Sequence, residues 1–334
     1  MDIIIKSFNR PYYLDRCLFS IQKHSKHSYT RIVVLDDGTP KQYLDKIQEK
    51  YPHVEITTSD LYDDKSSNLT DSYNGKIPID FWVESAKNSS DYFLLLEDDF
   101  WFTKDLNFEE LEKEIIKDNL VFLKLFWLGN PKLTSQNIIG NSTFYNIIKP
   151  KLFTWNTFWY KKIFKTYGFR FNDVMKFLGF YSTKRNLAYY HIYSVAGSIF
   201  KKEYFVSLWK NNNGKVDEGL QIQNALEYLK ANSNYKIAHS TKEYFQTGFS
   251  TAATLTHKKY EGINLDIFKV NNYLNEAWFN NQFDVFSSLP KDINEFEIEQ
   301  ILSNADVTGN LFSEWKKWHN NFKNQYEKLG CKTE

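Results

Sequence analysis

Residues 92–102 read YFLLLEDDFWF. The apolar run Phe93 to Leu96 leads, with no polar alternation, into the consecutive carboxylates Glu97, Asp98 and Asp99. An apolar run of this kind suits a strand buried on both faces of a parallel sheet. Carboxylates belong at the mouth of such a strand, and in open α/β sheets ligands bind outside the carboxyl ends of the strands. Clustered negative charges repel one another, and a divalent cation is their natural neutraliser. The stretch predicts a metal-assisted phosphate site.

Upstream, residues 2–6 (DIIIK) read as a first strand, and Pro11 suits the start of a helix, where its missing N–H costs nothing. Leu14, Cys17, Leu18 and Ile21 then fall on one helical face. RIVVL (31–35) is a second buried strand running into Asp36-Asp37-Gly38-Thr39. Leu44, Ile47 and Tyr51 outline another helix, residues 54–58 a third strand, and Ile79, Trp82, Val83 and Ala86 a further helix. Between them, Ser59 to Gly75 is hydrophilic and predicts a long loop. Strands alternating with amphipathic helices give an α/β fold with a mainly parallel sheet.

Two strands thus end in acids. Asp before Gly is a common turn pair, so Asp36-Asp37 alone reads equally well as a turn. Together with the triplet it points to a shared crevice for a nucleotide, whose base and ribose donate hydrogen bonds to carboxylates. Neither common glycine-rich phosphate loop is present. Metal and scattered basic groups must bind the phosphates, with Arg10 and Lys76 as candidates; either also reads as a solvated surface charge.

Composition narrows the class. A net charge of +1 argues against a nucleic-acid binder that relies on global positive charge. Cys17 and Cys331, at opposite ends, do not make a disulfide framework. No run approaches the length of a membrane span, and Met1 leads straight into the first strand without a secretory pattern. The expectation is a cytoplasmic enzyme, with the acceptor-like triplets at Asn68, Asn88 and Asn141 coincidental.

The segments SFNRPYYLDRCLFSI (7–21), VVLDDGTP (33–40) and LLLEDDF (94–100), in this order, resemble the family-2 inverting glycosyltransferases of the GT-A fold, over roughly residues 2 to 260. The resemblance implies a GT-A domain at 1–260, with a nucleotide-binding half (1–102) and a donor-sugar and acceptor half (103–260). Residues 261–334 follow as a helical C-terminal extension. It implies that Asp36 contacts the base with Asp37 nearby, that Glu97 faces ribose and Asp98 the donor sugar, and that Asp99 holds Mn²⁺ or Mg²⁺. Strand alternation turns Glu97 and Asp99 the same way. SVAGSIFKK (194–202) resembles the strand lining the donor-sugar and acceptor site. VDEGL (216–220) resembles the motif carrying the catalytic base, giving Asp217 first and Glu218 second. Both also suit a helix start, as N-cap and first-turn acid. In residues 236–259, where some relatives supply a metal-binding histidine, Thr247 occupies the matching place, with His239 and His257 elsewhere in the segment.

The implied activity is metal-dependent transfer of a sugar from a nucleotide-diphosphate donor, UDP favoured, to a glycan hydroxyl with inversion. Surface polysaccharide or glycoconjugate synthesis is the expected setting. A sugar nucleotidyltransferase and a non-catalytic glycan-binding module are the rivals, and retention of configuration stays open. Residues 151–193 hold fifteen aromatics and eight Lys or Arg with one acid, Asp173. They read as an acceptor platform (Trp155, Trp159, Tyr181), as a face on anionic headgroups beside a lipid-linked glycan, or as aromatic core ringed by lysines.

Overall fold

The computed structural model describes every residue except 68–75, 166–176, 178, 180, 213, 254–259, 307–309 and 334. In chain order the first elements are β1 (Asp2–Ser7), α1 (Pro11–Ser25), β2 (Ile32–Asp36), α2 (Lys41–Lys50), β3 (Glu55–Thr58), α3 (Tyr62–Ser67) and α4 (Ile79–Lys87). Next come β4 (Tyr92–Glu97), β5 (Phe100–Phe102), α5 (Phe108–Asp118), β6 (Leu120–Lys124), β7 (Asn137–Asn141), β8 (Tyr145–Lys149), α6 (Thr157–Tyr160) and α7 (Thr183–Leu187). The rest are β9 (Ser198–Lys201), α8 (Lys202–Leu208), α9 (Glu218–Ala231), β10 (Lys236–Ser240), β11 (Phe245–Thr247), α10 (Ile267–Phe279), α11 (Glu295–Ala305) and α12 (Asn310–Glu327). The fold is α/β. It divides into two compact units, and β4 carries the chain from one into the other at Leu95–Leu96.

The unit that carries the acidic triplet comprises Ile3–Pro78, Leu96–Asn107 and Tyr244–Glu334. Here β1 pairs in parallel with β2, Ile3 opposite Ile32 through to Ser7 opposite Asp36, and β2 pairs in parallel with β3. The β-branched side chains of β1 and β2 are buried, as a strand covered on both faces requires. Pro11 opens α1, its predicted stripe of Leu14, Cys17, Leu18 and Ile21 is buried, and Lys26 in the left-handed conformation ends it. An antiparallel ribbon, β5 with β11, and the helices α10 to α12 complete this unit, with Trp315 and Trp318 fully buried on α12.

The expected loop Ser59–Gly75 differs in its first part. Tyr62–Ser67 is helical, with Asp63 and Asp64 in the first turn, where they favour the helix dipole. A six-residue helix without an apolar stripe leaves no periodicity to read. It docks through Lys65 onto Gly38, where a Cβ would lie 2.7 Å from the Lys65 Cβ. Gly38 has φ +140°, so a side chain there is barred twice over. Residues 68–75 of the expected loop lie outside the described residues.

The other unit comprises Met1–Asp2, Ile79–Leu95 and Phe108–Glu243. Its ladders run in mixed directions: β6 with β10 is parallel, while β4 with β9, β9 with β6, β10 with β8 and β8 with β7 are antiparallel. Phe93 to Leu95 are buried as expected. Near the ends of β6 and β10 lies a buried polar group. His239 stands opposite Lys124 in the ladder, and its ring stacks on His191 with Nε2 3.2 Å from the His191 Nδ1.

Burial, helped by the Lys124 charge, depresses the His191 pKa to about 3 and holds His239 well below the ordinary range. Unfolded histidines take protons below about 6.5 while these folded ones do not, so the stability they contribute is present above that pH and lost below it. The expected loss on acidification is up to about 1.4 kcal/mol per pH unit for each histidine. Urea melts between neutral and acid pH should show this slope and its flattening in a His191→Gln/His239→Gln variant. An unchanged slope in that variant would refute the assignment.

Candidate active site

Strand β4 stops at Glu97, so the alternation expected to pair Glu97 with Asp99 does not extend through the triplet. The backbone is fixed beyond that point: the Asp98 N–H donates to the Lys6 carbonyl at 2.9 Å, and the Gly248 N–H donates to the Asp99 carbonyl at 2.9 Å. The three side chains then take different partners. Glu97, 35% exposed, accepts from Lys6 Nζ at 2.7 Å. Burial opposes its ionisation, but the Lys6 charge holds its pKa below the ordinary value. Asp98, 1% exposed, accepts from the Phe8 N–H at 3.1 Å and from Arg10 Nη2. Asp99 accepts from Arg10 Nη1 at 2.8 Å.

Arg10 is therefore a buried fork that holds two carboxylates. Burial pushes Asp98 up to about 7, with Arg10 opposing the shift and Asp99 adding to it. Burial likewise raises Asp99. Two acids against one guanidinium leave the cluster one negative charge in excess when both are ionised. The second oxygen of Asp99, Oδ1, is buried and has no hydrogen-bond partner. An orphaned buried carboxylate oxygen calls for a cation. Among the described residues no group of three or more His, Cys, Asp or Glu could hold a metal by itself. The residues present fit a divalent ion that would be held through Asp99 Oδ1, with ligands from outside the chain completing its coordination.

Asp36 is fully buried and its oxygens are occupied. Oδ1 accepts the Gly38 and Thr39 N–H groups at 3.0 and 2.7 Å, and Oδ2 accepts the Thr39 hydroxyl at 2.7 Å. Burial raises its pKa and these donors restrain the rise. The Thr39 Oγ1 accepts the Asn9 N–H at 2.8 Å, and Asn9 sits at φ +50°, just before Arg10. From α10, Asn275 Nδ2 donates to Asn9 Oδ1 at 2.9 Å. Asp37 accepts from Ser59 Oγ and Lys65 Nζ. Nearby, the Tyr13 hydroxyl donates to Asp292 at 2.7 Å, and Asp292 also accepts the Phe249 N–H at 2.8 Å.

Arg10, Asp36, Asp37, Glu97, Asp98 and Asp99 thus belong to one unit, and hydrogen bonds link most of them into one network. Lys76, in the same unit, is exposed. Lys6, Lys65 and Asn275 were not expected. A lone charge near the end of the apolar strand IIIK was a signal for Lys6, whereas Lys65 and Asn275 acquire partners only through tertiary packing.

The other unit holds the remaining candidates. Asp217 is the N-cap of α9, its Oδ1 accepting the Leu220 N–H at 3.0 Å, and Glu218 accepts from the Tyr190 hydroxyl. Trp155 and Trp159 are exposed, and the half-buried Tyr181 lies with its ring 5.8 Å from Phe164. His239 is committed to the buried pair with His191, and His257 lies outside the described residues.

Removing the guanidinium should strand two buried carboxylates. Arg10→Leu is expected to cost about 3–5 kcal/mol of stability near neutral pH. Asn275→Ala, which takes one donor from Asn9, should cost about 1–3 kcal/mol. Urea denaturation of both variants checks the order, and an Arg10→Leu protein as stable as the parent would contradict it.

No family model matches the sequence, and no curated protein matches it. Among solved structures it is similar to S. aureus TarS 1–349 in complex with UDP, at 14% identity and TM-score 0.40, over 91% of this chain and 69% of that one. It is also similar to glucosyl-3-phosphoglycerate synthase from Mycobacterium tuberculosis in complex with Mn²⁺, UDP and phosphoglyceric acid, at 10% identity and TM-score 0.40, over 83% of this chain and 77% of that one. Against another S. aureus TarS structure, at 15% identity and TM-score 0.38, the match covers 91% of this chain but only 42% of that one.

Proposed function

We propose that the chain is a GT-A-fold glycosyltransferase, metal-dependent, which moves one sugar from a UDP-linked donor to a glycan hydroxyl with inversion. The reading places it in surface polysaccharide or glycoconjugate synthesis at the cytoplasmic side. The observation that carries it is the unpartnered buried Oδ1 of Asp99, beside a carboxylate and a guanidinium at the end of a sheet strand. Mn²⁺ or Mg²⁺ bound there would supply Lewis-acid stabilisation of the leaving diphosphate. Arg10 lowers the negative charge that a diphosphate meets on approach, and Lys76 offers a second cation on the donor side. Asp98, fixed by the Phe8 N–H, faces the donor sugar, and Glu97 faces ribose. The Asp36-Asp37-Gly38-Thr39 turn receives the base, with Asp36 acting by shaping that turn.

Inversion needs a carboxylate to take the proton from the attacking hydroxyl as the nucleotide departs on the opposite face. Asp217 is assigned this role with Glu218 second, and Trp155, Trp159 and Tyr181 are assigned to the acceptor. Among the described residues no helix is long and apolar enough to cross a membrane.

Screening nucleotide sugars for Mn²⁺-dependent thermal stabilisation and hydrolysis tests the reading. Asp99→Asn should abolish metal-dependent turnover. Asp217→Asn should keep donor affinity and lose transfer by about a hundredfold or more. Full activity in both variants would overturn the site. Pyrophosphate release from a nucleoside triphosphate would favour the nucleotidyltransferase instead, and glycan binding without nucleotide-sugar binding would favour a non-catalytic module.

A further inference from the structure

From Asn119 to Asn172 the sequence contains no Asp or Glu and eight Lys or Arg. The same stretch concentrates exposed apolar surface. Of eleven exposed large apolar side chains among the described residues, six lie between residues 138 and 159: Ile138, Ile139, Phe153, Trp155, Phe158 and Trp159. Single exposed apolar side chains need no explanation, but a cluster of them marks an interaction site. Exposed lysines flank the cluster, Lys149 and Lys151 on one side and Lys161 and Lys162 on the other.

These side chains are held outward by a packed base within the same unit. Strand β7 lies against β8 with Asn137 opposite Lys149, and the Gln136 side chain accepts the Lys151 N–H at 2.6 Å. The short helix α6 and the turn after it bury Tyr160 and Ile163. The Tyr160 ring packs 4.6 Å from that of Tyr189, whose hydroxyl donates to the Thr154 carbonyl and accepts the Thr154 N–H. Phe158 and Trp159, on the same helix, are 59% and 56% exposed. The Lys162 ammonium lies 5.7 Å from the Phe158 ring centre.

We propose that this face docks on the surface of an anionic lipid bilayer. Aromatic side chains at the level of the headgroups, with lysines reaching their phosphates, are the chemistry such a surface selects. The stretch itself contributes no acid that would oppose it. The assignment concerns lipid binding; it shares Trp155 and Trp159 with the acceptor assignment above, and a vesicle assay without glycan or nucleotide sugar reads its failure separately from the failure of that reading.

Vesicle co-sedimentation of the full chain tests it, with phosphatidylcholine vesicles compared with vesicles also containing phosphatidylglycerol. Binding is expected only to the anionic vesicles and should weaken as salt rises. Each lysine removed in Lys161→Ala/Lys162→Ala should lower the partition coefficient roughly fivefold. Phe158→Ser/Trp159→Ser should lower it about tenfold or more, with the melting temperature unchanged because both side chains are exposed. Absence of binding at low salt, equal binding to both vesicle types, or binding indifferent to both double substitutions overturns the proposal. A dimer of the free protein that Phe158→Ser/Trp159→Ser dissociates would also overturn it, by making a second copy the occupant.

Discussion

The fork of Arg10 between Asp98 and Asp99 is the contact on which the triplet-bearing unit depends. Two carboxylates beside each other in a buried place are tolerable only with a positive charge between them, and a guanidinium is the one side chain that can address both from one plane. Yet one cation cannot neutralise two anions, and the fork leaves Asp99 Oδ1 without a partner. The fold therefore stabilises the cluster without completing it. That remaining negative charge is what a divalent ion would meet, so the structural role of Arg10 and the proposed chemistry draw on the same electrostatics.

Arg10 can serve this purpose only if the residue before it turns the chain correctly. Asn9 has a positive φ of 50°, which asparagine tolerates better than most non-glycine residues, and its neighbours fix it there. The holding is visible on two sides, from the Thr39 hydroxyl that Asp36 fixes and from Asn275 on α10. Residues near both ends of the chain thus converge on one peptide. The C-terminal helices also supply Asn271 to the Tyr12 hydroxyl and the Trp278 indole N–H to Asp15, both on α1. Their part in this unit is to brace α1 and the loop that precedes it.

Periodicity made the main elements legible. Ile3 to Ile5, Ile32 to Leu35 and Phe93 to Leu96 are apolar runs bounded by polar residues, and each became a strand; the stripe from Leu14 to Ile21 became the buried face of α1. The acids at strand ends were legible too, because an ionised group cannot remain inside an apolar run. What those acids bind was not. Arg10 and Asp98 are separated by 88 residues, as are Lys65 and Asp37 by 28. Local pattern carries no information about such pairings. Likewise α3 lacks the apolar stripe that would announce a helix, and Asp217 satisfies the capping pattern without that pattern deciding whether it also handles a proton.

Carboxylates that look equivalent in sequence differ in how freely a ligand could recruit them. Asp36 would have to give up two backbone donors and a hydroxyl, all buried, and Asp98 a buried charge; breaking such a buried charged arrangement costs about 3–5 kcal/mol. Glu97 is different, since its side chain is partly exposed and the partner it accepts from is the single ammonium of Lys6. A ribose hydroxyl could share Glu97 at little cost, while Asp99 Oδ1 needs to surrender nothing. The order of availability is therefore Asp99, then Glu97, then Asp98 and Asp36. It follows from hydrogen-bond saturation and from what each acid would have to give up.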